Sequence, residues 1–340
     1  MNLNYTWFQS IPIPTNAIHG YYDFKLVTLS YIVAVLASYV ALNLVGRLRA
    51  EKNNRAKIYW LVGGAFAMGA GIWSMHFIGM LAFIMPMPMV YDFTWTAASL
   101  FVAMLASGLA LSILQKNNLS IFYLGLGGIF IGFGIATMHY MGMEGMKIHV
   151  DIKYLPGLFF LSIIIAVAAA EAALWLALQS NQGSIKRQFN LKIISALVMG
   201  VAICGMHYTG MAAAVFTPKT SHMSTTFEAI NPNYLAFFVA GVASLIISMA
   251  LMASTYYKKM VNAVENEKEF LNAMLNNLED GIIACDAEGR ITVLNQSLQK
   301  KINFTNEKKH IDDLFNYFKL SAFCKLVDTL FCKFRPLIVF

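Results

Sequence analysis

The chain has 340 residues, of which 58% are hydrophobic and 13% are charged. A soluble domain carries about a quarter charged residues, so a wholly soluble globular protein is excluded. The formal charge of +7 follows from where lysine and arginine fall in the loops, and it does not call for a nucleic-acid partner.

A helix needs about 20 mostly apolar residues to cross a bilayer. In chain order, seven stretches qualify: Leu26–Val45, Ile58–Ile84, Thr94–Leu114, Leu119–Met143, Pro156–Leu178, Leu191–Phe216 and Asn233–Tyr256. Their length predicts helices rather than barrel strands, which need only about ten alternating residues. The N-terminus has no basic segment ahead of an apolar run, so no cleavable signal peptide is expected. Arg47, Arg49, Lys52, Arg55 and Lys57 follow the first span. Lys116, Lys186, Arg187, Lys192, Lys258 and Lys259 fall on the same side. The excess of basic residues predicts that this side is cytoplasmic, with the N-terminus outside and the C-terminus inside the cell's inner membrane. Of the four cysteines, Cys285, Cys324 and Cys332 belong to the cytoplasmic tail, where thiols stay reduced, and Cys204 reads as a small core residue.

The second, fourth and sixth spans end in near copies of one motif. They read Ser-Met-His-Phe-Ile-Gly-Met at Ser74–Met80, Thr-Met-His-Tyr-Met-Gly-Met at Thr137–Met143, and Gly-Met-His-Tyr-Thr-Gly-Met at Gly205–Met211. At about 1.5 Å per residue, His76, His139 and His207 lie about 27, 30 and 24 Å along their spans, all near the outer face. His19, His149 and His222 also belong to outer segments, and only His310 is in the tail. The nearly even spacing of the motifs divides the first six spans into three two-helix repeats, which place equivalent residues at one depth. An ionisable side chain inside a membrane is costly and usually functional.

In each motif a methionine follows the histidine by four residues and shares its helix face: Met80, Met143 and Met211. Gly79, Gly142 and Gly210 lie three residues on and admit a neighbouring helix or a ligand. Met75, Met138 and Met206 precede the histidines. Imidazole suits copper, zinc, iron and nickel, whereas thioether sulfur selects Cu(I). Histidine and methionine without clustered acids therefore favour copper, and Met85, Met87 and Met89 add soft donors in the adjoining loop. Two other readings stay open. The methionines could be core filler, with each histidine hydrogen-bonded to a neighbouring helix. Alternatively, two histidines on facing helices could hold a haem axially. Glu171 lies far from the outer face and reads as a paired or protonated acid. Asn43 reads as an interhelical hydrogen-bond donor, and Trp60, Trp73, Trp95 and Trp175 as interface or packing residues.

The triplicated Met-His-(Phe/Tyr)-x-Gly-Met on alternating helices resembles the MHYT domain of bacterial membrane signalling proteins, and Met206-His207-Tyr208-Thr209 spells the family's motif. The segment Val33–Arg47 is similar to the family's first helix, although Asn43 stands where that helix often carries an acid. The resemblance implies a sensor that binds copper through methionine and histidine and detects oxygen, carbon monoxide or nitric oxide.

Beyond Tyr257 the chain becomes polar. Residues 256–279 read as a linker helix whose apolar stripe (Val261, Val264, Phe270, Leu271, Met274, Leu275, Leu278) suits pairing in a homodimer. Gly281–Asp286 and Arg290–Leu294 read as two strands around a turn, with Asn295 opening a helix. This pattern resembles the start of a PAS domain, with Asp286, Gly289 and Asn295 at the expected places. Leu320–Phe340 does not read as the remaining strands of that fold, and the tail reads as cut short.

The expected architecture is therefore an all-α polytopic bundle of seven spans, three two-helix repeats plus one, over residues 1–255. The linker (256–279) and an incomplete α/β PAS-like segment (280–340) follow. The expected function is membrane sensing through copper held by the three histidines and their methionines. A diatomic gas and a downstream cytoplasmic signalling protein are the expected partners. A metal transporter or a haem-binding electron-transfer protein is the alternative. No kinase, cyclase or phosphodiesterase segment is legible, so the chain is expected not to be an enzyme.

Overall fold

The computed structural model describes residues 7–9, 13–87, 89–116, 120–147, 150–180, 184–218, 229–280, 282–285, 290–296, 299 and 337–339. The expected seven-span membrane bundle is present: α1 (Phe24–Ala50), α2 (Asn54–Ala82), α3 (Phe93–Leu114), α4 (Ile121–Glu144), α5 (Pro156–Gln179), α6 (Ile185–Ala213) and α7 (Pro232–Asn277). Local chemistry sets where the helices start. The side chains of Asp23, Asn53, Asp92, Ser120 and Ser184 each accept a first-turn backbone N–H, which removes one orphan donor per helix. Pro156, whose missing N–H costs nothing in the first turn, opens α5.

The chain divides into two compact units, Met1–Thr255 and Tyr256–Phe340. In the first, each of α1 to α6 packs on its chain neighbours, and α6 packs back on α1. The six helices thus close a ring. α7 stands outside it: Ile246 and Ala250 pack against Ala37, Val40 and Leu44 of α1 and Ala67 of α2.

Among the described residues, seven short strands, which the residue pattern does not announce, rim one end of the ring. β1 (Tyr21–Tyr22) pairs with β2 (Phe83–Ile84), β3 (Val90–Asp92) with β4 (Met146–Lys147), and β5 (Val150–Tyr154) with β6 (Ala214–Pro218). Each pair joins the strand before an odd helix to the strand after the next even helix. Every repeat is therefore a strand–helix–helix–strand unit closed on itself. β7 (Ala229–Ile230) adds to β3. At the opposite, basic end, the Arg47 guanidinium lies 5.2 Å over the Trp60 ring.

In the second unit, β8 (Ile282–Cys285) and β9 (Ile291–Leu294) form the expected antiparallel pair. The Asn295 side chain accepts from Ile282 N–H (2.8 Å) and donates to the carbonyls of Leu275 (2.9 Å) and Asp280 (2.8 Å). The expectation of no strand after residue 320 fails at β10 (Leu337–Val339), which pairs with β8. A run of three residues is too short for periodicity to reveal. Asp286 and Gly289, on which the PAS resemblance partly rests, lie outside the described residues, as do His149, His222, His310, Cys324 and Cys332.

Candidate metal centre

α2, α4 and α6 each carry one motif within their last three turns, just below the strand rim. They bring His76, His139 and His207 together, all three with 0% exposure. The Nδ1 atoms form a triangle with sides of 3.0 Å (His76–His207), 3.1 Å (His139–His76) and 3.3 Å (His207–His139). The ring planes stand nearly perpendicular, at 81° to 88°.

This triangle cannot satisfy itself. A ring nitrogen of neutral imidazole either carries a proton or offers a lone pair. Around a three-membered ring, at least two neighbours must be alike, so one edge always sets donor against donor or lone pair against lone pair. A cation at the centre resolves the conflict, because all three lone pairs can point at it. The centre of such a triangle lies about 1.8 Å from each corner, close to the ~2.0–2.1 Å of a zinc–imidazole bond.

The far edge of each ring fills a notch on the next helix. His76 Nε2 faces Gly142, His139 Nε2 faces Gly210, and His207 Nε2 faces Gly79. A Cβ at any of these glycines would overlap the ring. The three Nε2 atoms are buried and have no hydrogen-bond partner among the described residues. The glycine three residues after each histidine therefore receives the histidine of another repeat, and the three motifs interlock cyclically.

Behind the rings, the residue after each histidine packs edge-on against it: Phe77 (4.9 Å between centroids), Tyr140 (4.8 Å) and Tyr208 (4.8 Å). The Tyr140 hydroxyl meets Ser162 Oγ at 2.6 Å, and that of Tyr208 meets Ser30 Oγ at 2.9 Å. In the first repeat Phe77 has no hydroxyl, and Trp73 Nε1 instead donates to Ser99 Oγ at 3.0 Å. Ser30, Ser99 and Ser162 each donate to the carbonyl three residues back, at 2.7 Å. Their oxygens are thus left to accept from the aromatic donor. Sequence reasoning missed these serines. Their signal was a small polar residue near the same end of each odd helix.

Tyr91 in β3 covers Phe77 from the rim, at 5.8 Å between centroids. Its hydroxyl is buried without a hydrogen-bond partner among the described residues, and burial pushes its pKa above the ordinary range.

The methionines divide. Met80, Met143 and Met211, four residues after the histidines, share one core cluster with Met85 and Met146. Met138 also belongs to it. Met75 packs instead with Ala34 and Cys204, and Met206 with Ala136 and Ala166. Asn43 differs from expectation: its amide donates to Tyr39 O of its own helix (2.8 Å), and its oxygen accepts from Lys192 Nζ of α6 (3.4 Å). The Glu171 chain packs over Gly128, whose missing side chain makes room for it. A haem fits poorly: two axial nitrogens on one iron stand about 4 Å apart, at about 2 Å per bond, with the porphyrin between them. These nitrogens are only 3.0–3.3 Å apart and their rings are in mutual contact.

Among known proteins, the MHYT family, described as "Bacterial signalling protein N terminal repeat", matches residues 12–56, 69–126 and 132–187. The bifunctional diguanylate cyclase/cyclic di-GMP phosphodiesterase MucR of Pseudomonas aeruginosa is 46% identical over 233 residues, 68% of this chain and 34% of MucR. The signaling protein YkoW of Bacillus subtilis is 35% identical over 315 residues, 90% of this chain and 38% of YkoW. The cyclic di-GMP phosphodiesterase NbdA of Pseudomonas aeruginosa is 34% identical over 258 residues, 76% of this chain and 33% of NbdA. The chain therefore spans about a third of the length of these relatives. No solved structure matches it. The expectation that the chain is not an enzyme is corrected by these names. It rested on the absence of legible catalytic segments, and relatives that match over 233 and 258 residues are named as enzymes of cyclic di-GMP.

Proposed function

The chain belongs to the MHYT family of bacterial membrane signalling proteins, and from that premise we propose that it is a sensor in which His76, His139 and His207 hold a copper ion. The observation that carries this reading is the closed triangle of Nδ1 atoms, which neutral imidazoles alone leave in conflict. The donor set favours copper in its lower charge state. All three ligands are neutral, and among the described residues no carboxylate or thiol joins the group. The desolvation cost of a buried ion grows steeply with its charge, so a monovalent ion suits this site better than a divalent one. When bound, copper would supply a redox-active centre able to take up a diatomic gas. Met80, Met143 and Met211 would add soft donors beside it.

The surrounding residues hold the rings. The glycine notches fix their far edges, and the tyrosine–serine pairs fix the aromatic layer behind them. The strand rim faces outside and the basic end faces the cytoplasm, in keeping with the lysines and arginines there.

The signal leaves through the first repeat. Phe77 packs at a tilt against Trp73, 4.5 Å between centroids, and Trp73 meets Phe238 of α7 at 5.7 Å. Tyr140 and Tyr208 reach instead toward Tyr154 and Tyr22. A change at the triad thus has an aromatic route to α7 and on to the linker, a PAS-like tail and a cytoplasmic output. It biases α7 only so far as the ligand binds the two helix packings differently.

The test is metal analysis of the purified chain. About one copper per chain, lost in His76→Ala, His139→Ala and His207→Ala, is the expected result. No copper in the wild type, or equal copper in the variants, overturns the reading.

A further inference from the structure

The repeats converge in more than the histidine layer. One turn before the histidines stand Ile72, Ile135 and Ile203, and two turns before them Met68, Ile131 and Met199. Residues four apart share a helix face. These six therefore continue the axial face of α2, α4 and α6 away from the strand rim. All six line one cavity of about 50 Å³. Its wall is completed by residues of α1, α3 and α5, including Ala41, Ala110 and Ala170. All six ring helices border it, so it lies on the axis, below the triad.

Every side chain of the lining is Ala, Val, Leu, Ile or Met. A buried water needs two to four polar partners, and these side chains provide none. Cavities lined this way stay dry and take up small apolar guests such as xenon. One water occupies at least about 10–15 Å³ on this scale, so the chamber has room for a guest of a few atoms and none for a porphyrin.

We propose that this chamber is a binding site for a small apolar molecule of diatomic size, held behind the isoleucine layer that stands one helical turn from the histidines. The inference rests on the sensor reading for its purpose, because a gas dissolved in the bilayer would gather here before reaching the triad. Its chemistry needs no metal.

The test uses the intact 340-residue chain, metal-free and in detergent, with xenon as the probe followed by xenon NMR. Saturable xenon uptake by the wild type is expected. Ala170→Phe, which fills the chamber, should weaken it at least tenfold. The milder Ala110→Leu should weaken it measurably and guards against misfolding of the first variant. No saturable uptake by the wild type, or uptake equal to wild type in either folded variant, overturns the proposal, as does a lipid or detergent chain found in the chamber. A wild type that takes xenon but holds no copper sinks only the metal reading. One that holds copper but takes no xenon sinks only this one.

Discussion

The six-helix ring and α7 are built on opposite plans. The ring is a closed threefold repeat whose three histidines turn inward and interlock at one level. α7 touches it along a single apolar stripe, with Leu235, Val239, Ala243, Ile246 and Ala250 buried at spacings of three or four. A closed ring suits a rigid site, since each histidine is wedged by the next repeat. A helix held by one stripe suits movement, since shifting it breaks few contacts. On the proposed reading, binding belongs to the ring and transmission to α7, and Trp73, beside the symmetry-breaking Phe77, lies where the two meet.

The largest effects should come from breaking the interlock. Any of His76→Ala, His139→Ala or His207→Ala should abolish copper retention. Gly142→Ala should act almost as strongly without removing a ligand, because the new methyl overlaps the His76 ring. We expect most copper to be lost and thermal stability to fall by about 1–3 kcal/mol, the usual cost of overpacking. The sharp control is Gly205→Ala, in the third motif. A Cβ there meets nothing within 4 Å, so copper should be unchanged and stability equal or higher by up to about 1 kcal/mol from helix propensity. Equal behaviour of the two alanine variants would break the wedge account.

Smaller effects should follow in the supporting layer. Ser162→Ala leaves the buried Tyr140 hydroxyl without its partner and should cost about 1–3 kcal/mol in a thermal melt. Adding Tyr140→Phe should recover most of that loss, because the second repeat then resembles the first, with its Phe77. The smallest effect on binding belongs to Phe238→Ala. Copper content should stay at the wild-type level, while ligand-dependent displacement of α7, read from spin-label distances, should shrink. A variant that loses copper would place α7 within the site instead.

Much of this was legible from residues alone, for a physical reason. Membrane spans announce themselves by length and apolarity, and a fixed rise per residue then puts His76, His139 and His207 at one depth by counting alone. Gly79, Gly142 and Gly210 were readable as points of close approach. That the approaching group is a histidine from another repeat was not, because this depends on which helices face each other. Ser30, Ser99 and Ser162 were hidden because a lone serine in an apolar run is unremarkable until its aromatic partner is known. The rim strands, two to five residues each, are too short for alternation to register. The different helix faces of the two methionine sets are readable by counting, but that Met75 and Met206 pack apart from Met80, Met143 and Met211 while Met138 does not depends on the neighbouring helices. The chamber depends on the absence of atoms, which no residue pattern reports.

X-ray absorption at the copper edge on the purified chain tests the central claim most directly. The account predicts a single copper with three imidazole nitrogens at about 2.0 Å, and loss of that signature in Gly142→Ala but not in Gly205→Ala. A chain that binds no copper, or copper whose nitrogen shell persists unchanged when His139 is replaced by alanine, would contradict it.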